Sequence, residues 1–135
     1  MKWKIPLFKT YSDLDDQKAV VKILKRETYW AVGPEIEQFE KKLAEFIGAK
    51  YALVFNSGTS ALHTLMLVYN VKGFDVIVPS FTFVATASTV ILAGGNPIFA
   101  ESEHDTFGLN LKDVESKITD KTKDKGKHYY REKTH

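Results

Sequence analysis

The chain of 135 residues contains no cysteine, which removes disulfide staples, thiolate nucleophiles and cysteine-ligated zinc, and permits a cytoplasmic setting. It has no apolar run approaching the roughly 20 residues that a membrane-spanning helix needs. Residues 1–9 mix Lys2, Lys4 and Lys9 with scattered apolar positions instead of the continuous apolar core of a secretory signal. Neither a G-x-G-x-x-G nor a Walker pattern occurs, so dinucleotide-binding and P-loop chemistry are not indicated. His63, His104, His128 and His135 form no pair at metal-ligand spacing beside suitable carboxylates, and no metal site is expected. Glu101, Glu103 and Asp105 form an acidic turn that reads as a solvated loop, since no second catalytic group accompanies them.

What is present is ordinary for a folded domain: 44% hydrophobic, 13% aromatic and 27% charged residues. At this length one domain is expected. The net charge of +2 is local. Residues 120–135 hold six of the 19 basic and three of the 17 acidic side chains, so the remainder is close to neutral and slightly acidic. A basic partner-binding face on the folded part is therefore not indicated, and nucleic-acid binding through the lysine-rich tail, which would show steep salt dependence, is not expected.

Ser12 with Asp15 predicts the start of a first helix carrying Val20, Ile23 and Leu24 at helical spacing. The aromatic pair and the Gly33-Pro34 step break it, and Ile36, Phe39, Leu43 and Ile47 mark one face of a second helix ended by Gly48. Residues 51–55 predict a strand, followed by a turn and an apolar helix over 61–69. The theme repeats with a strand over 75–78, a helix over 82–93 closed by Gly94-Gly95, and a strand over 97–100. Asn110 with Asp113 caps a last short helix. Strands alternating with helices predict an α/β layer structure on a largely parallel sheet, its strands buried on both faces. Residues 1–119 are expected to form the folded part, and residues 120–135 a disordered polar tail.

Two segments can carry chemistry. Asn56-Ser57-Gly58-Thr59-Ser60 sits where a strand feeds a helix, and helix-start N–H groups without partners, together with the positive end of the helix dipole, suit a phosphate. Gly58 permits close approach, and Ser57, Thr59 and Ser60 can add hydroxyl donors; the same residues are also good plain N-caps. Pro79-Ser80-Phe81-Thr82-Phe83 leaves the second strand where ligands collect in open α/β sheets. Its rings can either cover a flat cofactor or fill the core.

These segments, with Gly33-Pro34 before Phe39-Glu40, Val76-Ile77-Val78 before Pro79, Val84-Ala85-Thr86, Asn96-Pro97-Ile98-Phe99 and Ile118-Thr119-Asp120-Lys121-Thr122-Lys123, closely resemble the DegT-type nucleotide-sugar aminotransferases over about residues 4–123. The resemblance implies part of the fold-type-I large domain of pyridoxal-phosphate (PLP) enzymes: three layers around a mainly parallel sheet. It implies transfer of an amino group, usually from glutamate, to a nucleotide-linked keto sugar, and a homodimer for full-length members. By that resemblance Ser57, Gly58, Thr59 and Ser60 hold the PLP phosphate, Phe83 stacks on its ring, and residues 29–34 lie near the sugar.

The chain departs from the family at Gly73-Phe74-Asp75, where an Asp-Glu pair is common, and at Ser88, where Asn is frequent. After Lys123, where relatives enter an apolar strand, Asp124-Lys125-Gly126-Lys127-His128 is wholly polar, so a truncated piece is expected. The family's PLP-linking lysine and the acid that keeps the ring nitrogen protonated lie beyond the match. No residue here is assigned a catalytic role, and the chain alone is expected to be inactive. A dehydratase branch of the family replaces that lysine, at a position this stretch does not contain. In the family, the strand matching 51–55 is separated from those matching 76–78 and 98–100 by strands that come later, so unpaired edges are expected. A different class of role is a non-catalytic partial subunit docked on a full-length relative.

Overall fold

Asp13, one residue after the expected cap, starts the first helix of the computed structural model, which describes residue 5 and residues 9–123. Its carboxylate accepts from the N–H of Asp15 at 2.9 Å and of Asp16 at 3.1 Å, and Asp16 returns an acceptor to the Asp13 N–H at 3.0 Å. The capping box is thus built from two aspartates instead of Ser12 and Asp15, because a carboxylate can accept two of the orphan donors at once. Helix α1 (Leu14–Lys25) is followed by α2 (Pro34–Ile47), where Pro34 fills the first turn without a lost donor and Gly48 turns the chain at φ +70°. The apolar stripe expected on α2 exists, but Phe39 and Ile47 on it are exposed.

The expected strand over 51–55 is not formed. It joins no ladder among the described residues, and Val54 N–H donates instead to the Glu40 carboxylate at 3.0 Å. A strand is defined by its neighbour, and strand-forming side chains alone do not supply one. The chain divides after Val54 into two compact units, residues 1–54 and 55–135.

The second unit contains α3 (Gly58–Val68), β1 (Asp75–Pro79), α4 (Ala85–Leu92), β2 (Asn96–Ala100) and α5 (Leu111–Lys117). β1 and β2 pair in parallel, with Ile77 opposite Ile98 and Val78 opposite Phe99, and α4 is the crossover between them. The expected helix over 82–93 is shorter than predicted, beginning at Ala85. It is rich in Thr and Val, yet it is stable as a helix in the core: Val90 and Thr89 are buried, and the Thr89 hydroxyl is satisfied by Ala85 O at 2.9 Å. Val71, Val78, Ala85 and Ala100 complete this small core.

Burial of the strands on both faces is not observed. Only Val78 in β1 and Ala100 in β2 are buried, since two strands with α4 and α5 against them leave much of the sheet uncovered. The ordered chain runs beyond the boundary expected at residue 119. Asp75 N–H donates to Lys121 O, Lys123 N–H donates to Asp75 O, both at 2.9 Å, and Thr122 is buried. The expected disorder of the tail from residue 124 onward lies outside the described residues.

α5 is tied to the end of β2 by charge. Asp113 Oδ2 accepts from Lys117 Nζ at 2.7 Å and from Glu101 N–H at 2.6 Å, and Lys117 Nζ also donates to Phe99 O at 2.8 Å. The Lys117 ammonium first, and the Glu101 N–H second, hold the Asp113 carboxyl below its ordinary value of 3.8. A depressed carboxyl stabilises the fold above its unfolded pKa, and the contribution is lost as pH falls through the folded pKa. Acid titration followed by amide NMR is therefore expected to release α5 from β2 below pH 3.8, and Asp113→Asn to loosen α5 already at neutral pH. An α5 that stays docked in Asp113→Asn at pH 7 would contradict this.

Candidate functional site

The turn before α3 is shaped by its own side chains. Ser57, in extended backbone at φ −157°, caps the helix by accepting from Ser60 N–H at 3.1 Å. Ser60 Oγ donates to Asn56 Oδ1 at 3.0 Å, and the Ser57 and Ser60 hydroxyls lie 3.0 Å apart. The geometry sets up a short relay in which Ser57 donates to Ser60 and Ser60 to Asn56, so both hydroxyl hydrogens are committed inside the turn. Asn56 was not among the residues assigned to the site by sequence. Its signal was available, an Asx side chain four residues before the hydroxyl it accepts from.

The remaining donors face outward. The N–H groups of Gly58 and Thr59 have no hydrogen-bond partner among the described residues, nor does the Thr59 hydroxyl. Ser57, Gly58 and Thr59 are all exposed. A Cβ added at Gly58 would meet nothing within 4 Å, and its φ is not in the left-handed region, so neither packing nor backbone strain calls for glycine there. The positive end of an 11-residue helix, with two N–H groups unpartnered among the described residues and room at the Gly58 Cβ position, can hold an anion.

Phe83 lies in the segment that runs from β1 into α4, and α4 packs on α3, so the ring and the turn each stand just before one of two helices that pack together within one unit. The reading of Phe81 and Phe83 as core residues is not upheld: they are 71% and 75% exposed. Phe81 leans on Phe107, centroids 5.7 Å apart, which separates its role from that of Phe83. His63, on α3, has its Nε2 buried without a hydrogen-bond partner among the described residues. No group of three metal-ligating side chains occurs among them either. In the acidic turn, Glu103 accepts from the Thr106 hydroxyl at 2.7 Å, a local contact of an exposed loop.

In the first unit, the loop between α1 and α2 contains two non-glycine residues at positive φ, Glu27 at 60° and Tyr29 at 53°. A cavity of about 470 Å³ lies beside it, lined by Tyr29, Val32, Gly33, Pro34, Ile36 and Glu37. Glu35 bonds to its own backbone N–H and to Arg26, and these two interactions hold its carboxyl below the ordinary value of 4.5.

The family model described as the DegT/DnrJ/EryC1/StrS aminotransferase family matches residues 11–125. UDP-2-acetamido-2-deoxy-3-oxo-D-glucuronate aminotransferase of Pseudomonas aeruginosa is 37% identical over 123 residues, which span 84% of this chain and 34% of that protein. The structure of an aminotransferase from Psychrobacter cryohalolentis superposes with a TM-score of 0.77 at 31% identity, over 83% of this chain and 29% of the other. The GDP-4-keto-6-deoxy-D-mannose-3-dehydratase of E. coli, solved with bound hydrated PLP, gives a TM-score of 0.74 at 25% identity, over 87% and 32%. The chain thus spans about a third of the length of the proteins it matches, and its fold is part of that of PLP-dependent transferases. By the match over residues 11–125, the chain belongs to the DegT/DnrJ/EryC1/StrS aminotransferase family, whose solved relatives include a PLP-bound member.

Proposed function

We propose that this chain carries the phosphate-binding part of a PLP-dependent aminotransferase that moves an amino group from an amino acid, glutamate by preference, to a nucleotide-linked keto sugar. The supporting observation is the turn at 56–60. Its serine hydroxyls are committed internally while two backbone N–H groups and the Thr59 hydroxyl stay open under an unfilled space at Gly58. That donor set fits a phosphate monoester: it supplies up to three N–H or O–H donors, the helix dipole and room for close approach. Gly58 and Thr59 would grip the phosphate, Ser57, Ser60 and Asn56 would keep them aimed, and Phe83 would cover one face of the ring. Bound PLP supplies an electron sink at the carbon whose nitrogen is exchanged.

The chain's own residues then bind and orient but do not move protons. The described lysines close to the matched end have other surroundings: Lys123 Nζ lies 4.6 Å over the Phe74 ring, and Lys121 is exposed. The 135 residues by themselves would hold cofactor without transaminating.

Pyridoxine 5′-phosphate, which has no aldehyde and cannot react with surface lysines, separates phosphate binding from covalent capture. Gly58→Ala is expected to leave the fold intact or slightly more stable, because alanine suits a helix better than glycine. The same change should weaken pyridoxine 5′-phosphate binding about tenfold by crowding the anion. Equal affinity in the two proteins, measured by calorimetry, would remove the phosphate assignment.

Borohydride reduction after mixing with PLP, read by peptide mass spectrometry, should give only scattered, substoichiometric labelling of lysines. Stoichiometric labelling of one lysine would show that the chain is competent by itself.

The uncovered apolar surface favours a second role, as a partial subunit seated on a full-length relative: Val68 is 75% and Leu92 68% exposed, and among the described residues the β1 edge is paired only at Asp75. Co-expression with a full-length member of the family should then give a complex that survives gel filtration. Separate elution of the two polypeptides would exclude this role.

A further inference from the structure

Arg26 stands immediately after α1 and makes four hydrogen bonds with one guanidinium. Nη1 donates to both Glu35 carboxylate oxygens at 2.8 and 3.0 Å, Nε to Thr28 O at 3.0 Å, and Nη2 to Tyr29 O at 2.8 Å. The two carbonyls belong to the loop between the helices and the carboxylate to the first turn of α2, so the side chain closes the loop on itself.

The loop has little else to fix it. Glu27 and Tyr29 sit in the left-handed region that side chains with a Cβ avoid, and such conformations persist only where surrounding contacts over-determine them. Tyr29, Trp30 and Val32 are 68%, 64% and 75% exposed, so burial does not hold them. The Arg26 side chain itself is only 26% exposed.

Gly33 gives a second, independent indication. A Cβ there would run into the Arg26 guanidinium and the Glu35 carboxylate and lie 2.9 Å from Tyr29 O. Its φ is −74°, which any residue adopts. The glycine is needed for the space occupied by the staple and not for its backbone angle.

We propose that Arg26 is a positioning residue: its guanidinium, and not the packing of the loop, holds residues 27–33 in one conformation, with the Tyr29 and Trp30 side chains exposed and Tyr29 lining the 470 Å³ cavity. Its functional side rests on the proposed sugar aminotransferase reading and on the placement of residues 29–34 near the sugar that the family resemblance implies. A planar fork bonded at once to a carboxylate and two carbonyls cannot be replaced by a lysine ammonium, so Arg26→Lys should fail as Arg26→Ala does.

The experiment is ¹⁵N relaxation on the full chain, with Trp3→Phe assigning the Trp30 indole N–H. Amides of the loop should show order parameters near ~0.85 in the unmodified protein and below ~0.6 in both Arg26 variants, with Lys22→Ala unchanged and circular dichroism preserved. Loop amides that stay rigid in Arg26→Lys overturn the proposal. Should the Arg26 variants lose helix content, Gly33→Ala decides: a loosened loop with both helices intact supports the staple, and a rigid one overturns it.

Uridine 5′-diphosphate then tests the functional side. A shift of the Trp30 indole signal that titrates about fivefold more weakly in Arg26→Lys supports positioning for a ligand. No shift in the unmodified protein, alongside a loop that loosens in the variants, sinks the ligand-facing placement while leaving the staple standing.

Discussion

The commitment of the Ser57 and Ser60 hydroxyls to one another and to Asn56 is the interaction on which the site depends. A helix start always leaves backbone donors without intrahelical partners, and side chains of the same turn usually take some of them. Here Ser57 takes the Ser60 N–H and its own hydrogen goes to the Ser60 hydroxyl, so the turn stabilises itself with its own side chains. The donors of Gly58 and Thr59 are left pointing at solvent in a fixed direction. Had the serine hydroxyls been free, they would rotate and compete for the same anion. For the proposed phosphate site, closing them into a relay would preorganise the N–H pair and lower the ordering cost of binding.

Much of this was legible locally. Pro34 after Gly33, Gly48 at the end of α2, Asn110 before α5 and the hydroxyl turn before α3 each act within a few residues, and each does in the structure what its chemistry predicts. The cap of α1 moved from Ser12 to Asp13 because neighbouring N-cap candidates compete and the carboxylate accepts two N–H bonds. The strand expected over 51–55 failed for the opposite reason: its residues favour extension, but pairing is a property of a neighbour that local reading cannot see. Thr122 was assigned to the tail for its polar surroundings, yet Asp75 binds the backbone around it through both N–H and C=O, which no side-chain pattern records. The sequence groups Ser57, Gly58, Thr59 and Ser60 as one phosphate turn, and the geometry shows the Ser57 and Ser60 hydroxyls bonded within it while the Gly58 and Thr59 N–H groups have no partner among the described residues. Arg26 was missed because its partners are carbonyls and a carboxylate nine positions away, invisible as a motif.

The uncovered apolar residues follow from the same division between local and distant. The crossover β1–α4–β2 buries Val90 and Thr89 completely because strand, helix and strand close around them in sequence order. Val68, Leu92 and Phe99 stay open because nothing in the described chain returns to cover them. The chain spans about a third of the relatives it matches, and their additional length is the natural source of such cover. The same apolar surface would attract other hydrophobic surface when left bare, so aggregation and subunit docking are two outcomes of one physical cause.

Holding a phosphate and exchanging an amino group make different demands on a chain. The first needs two or three donors fixed within one turn of helix, a contact of lowest sequence separation that forms wherever α3 forms. The second needs an amine, an acid at the ring nitrogen and a substrate pocket brought together from distant segments, none of which a single βαβ unit supplies. The two demands therefore differ in reach: an anion receptor can be local to one helix start, whereas the exchange chemistry depends on contacts of long sequence separation. The exposed Phe83 ring lies between these two demands: in its proposed role it is close in sequence to α4 but would cover only one face of a flat ligand. Affinity for the phosphate group alone, with little gained from the ring, is the physical signature of a pocket with one wall.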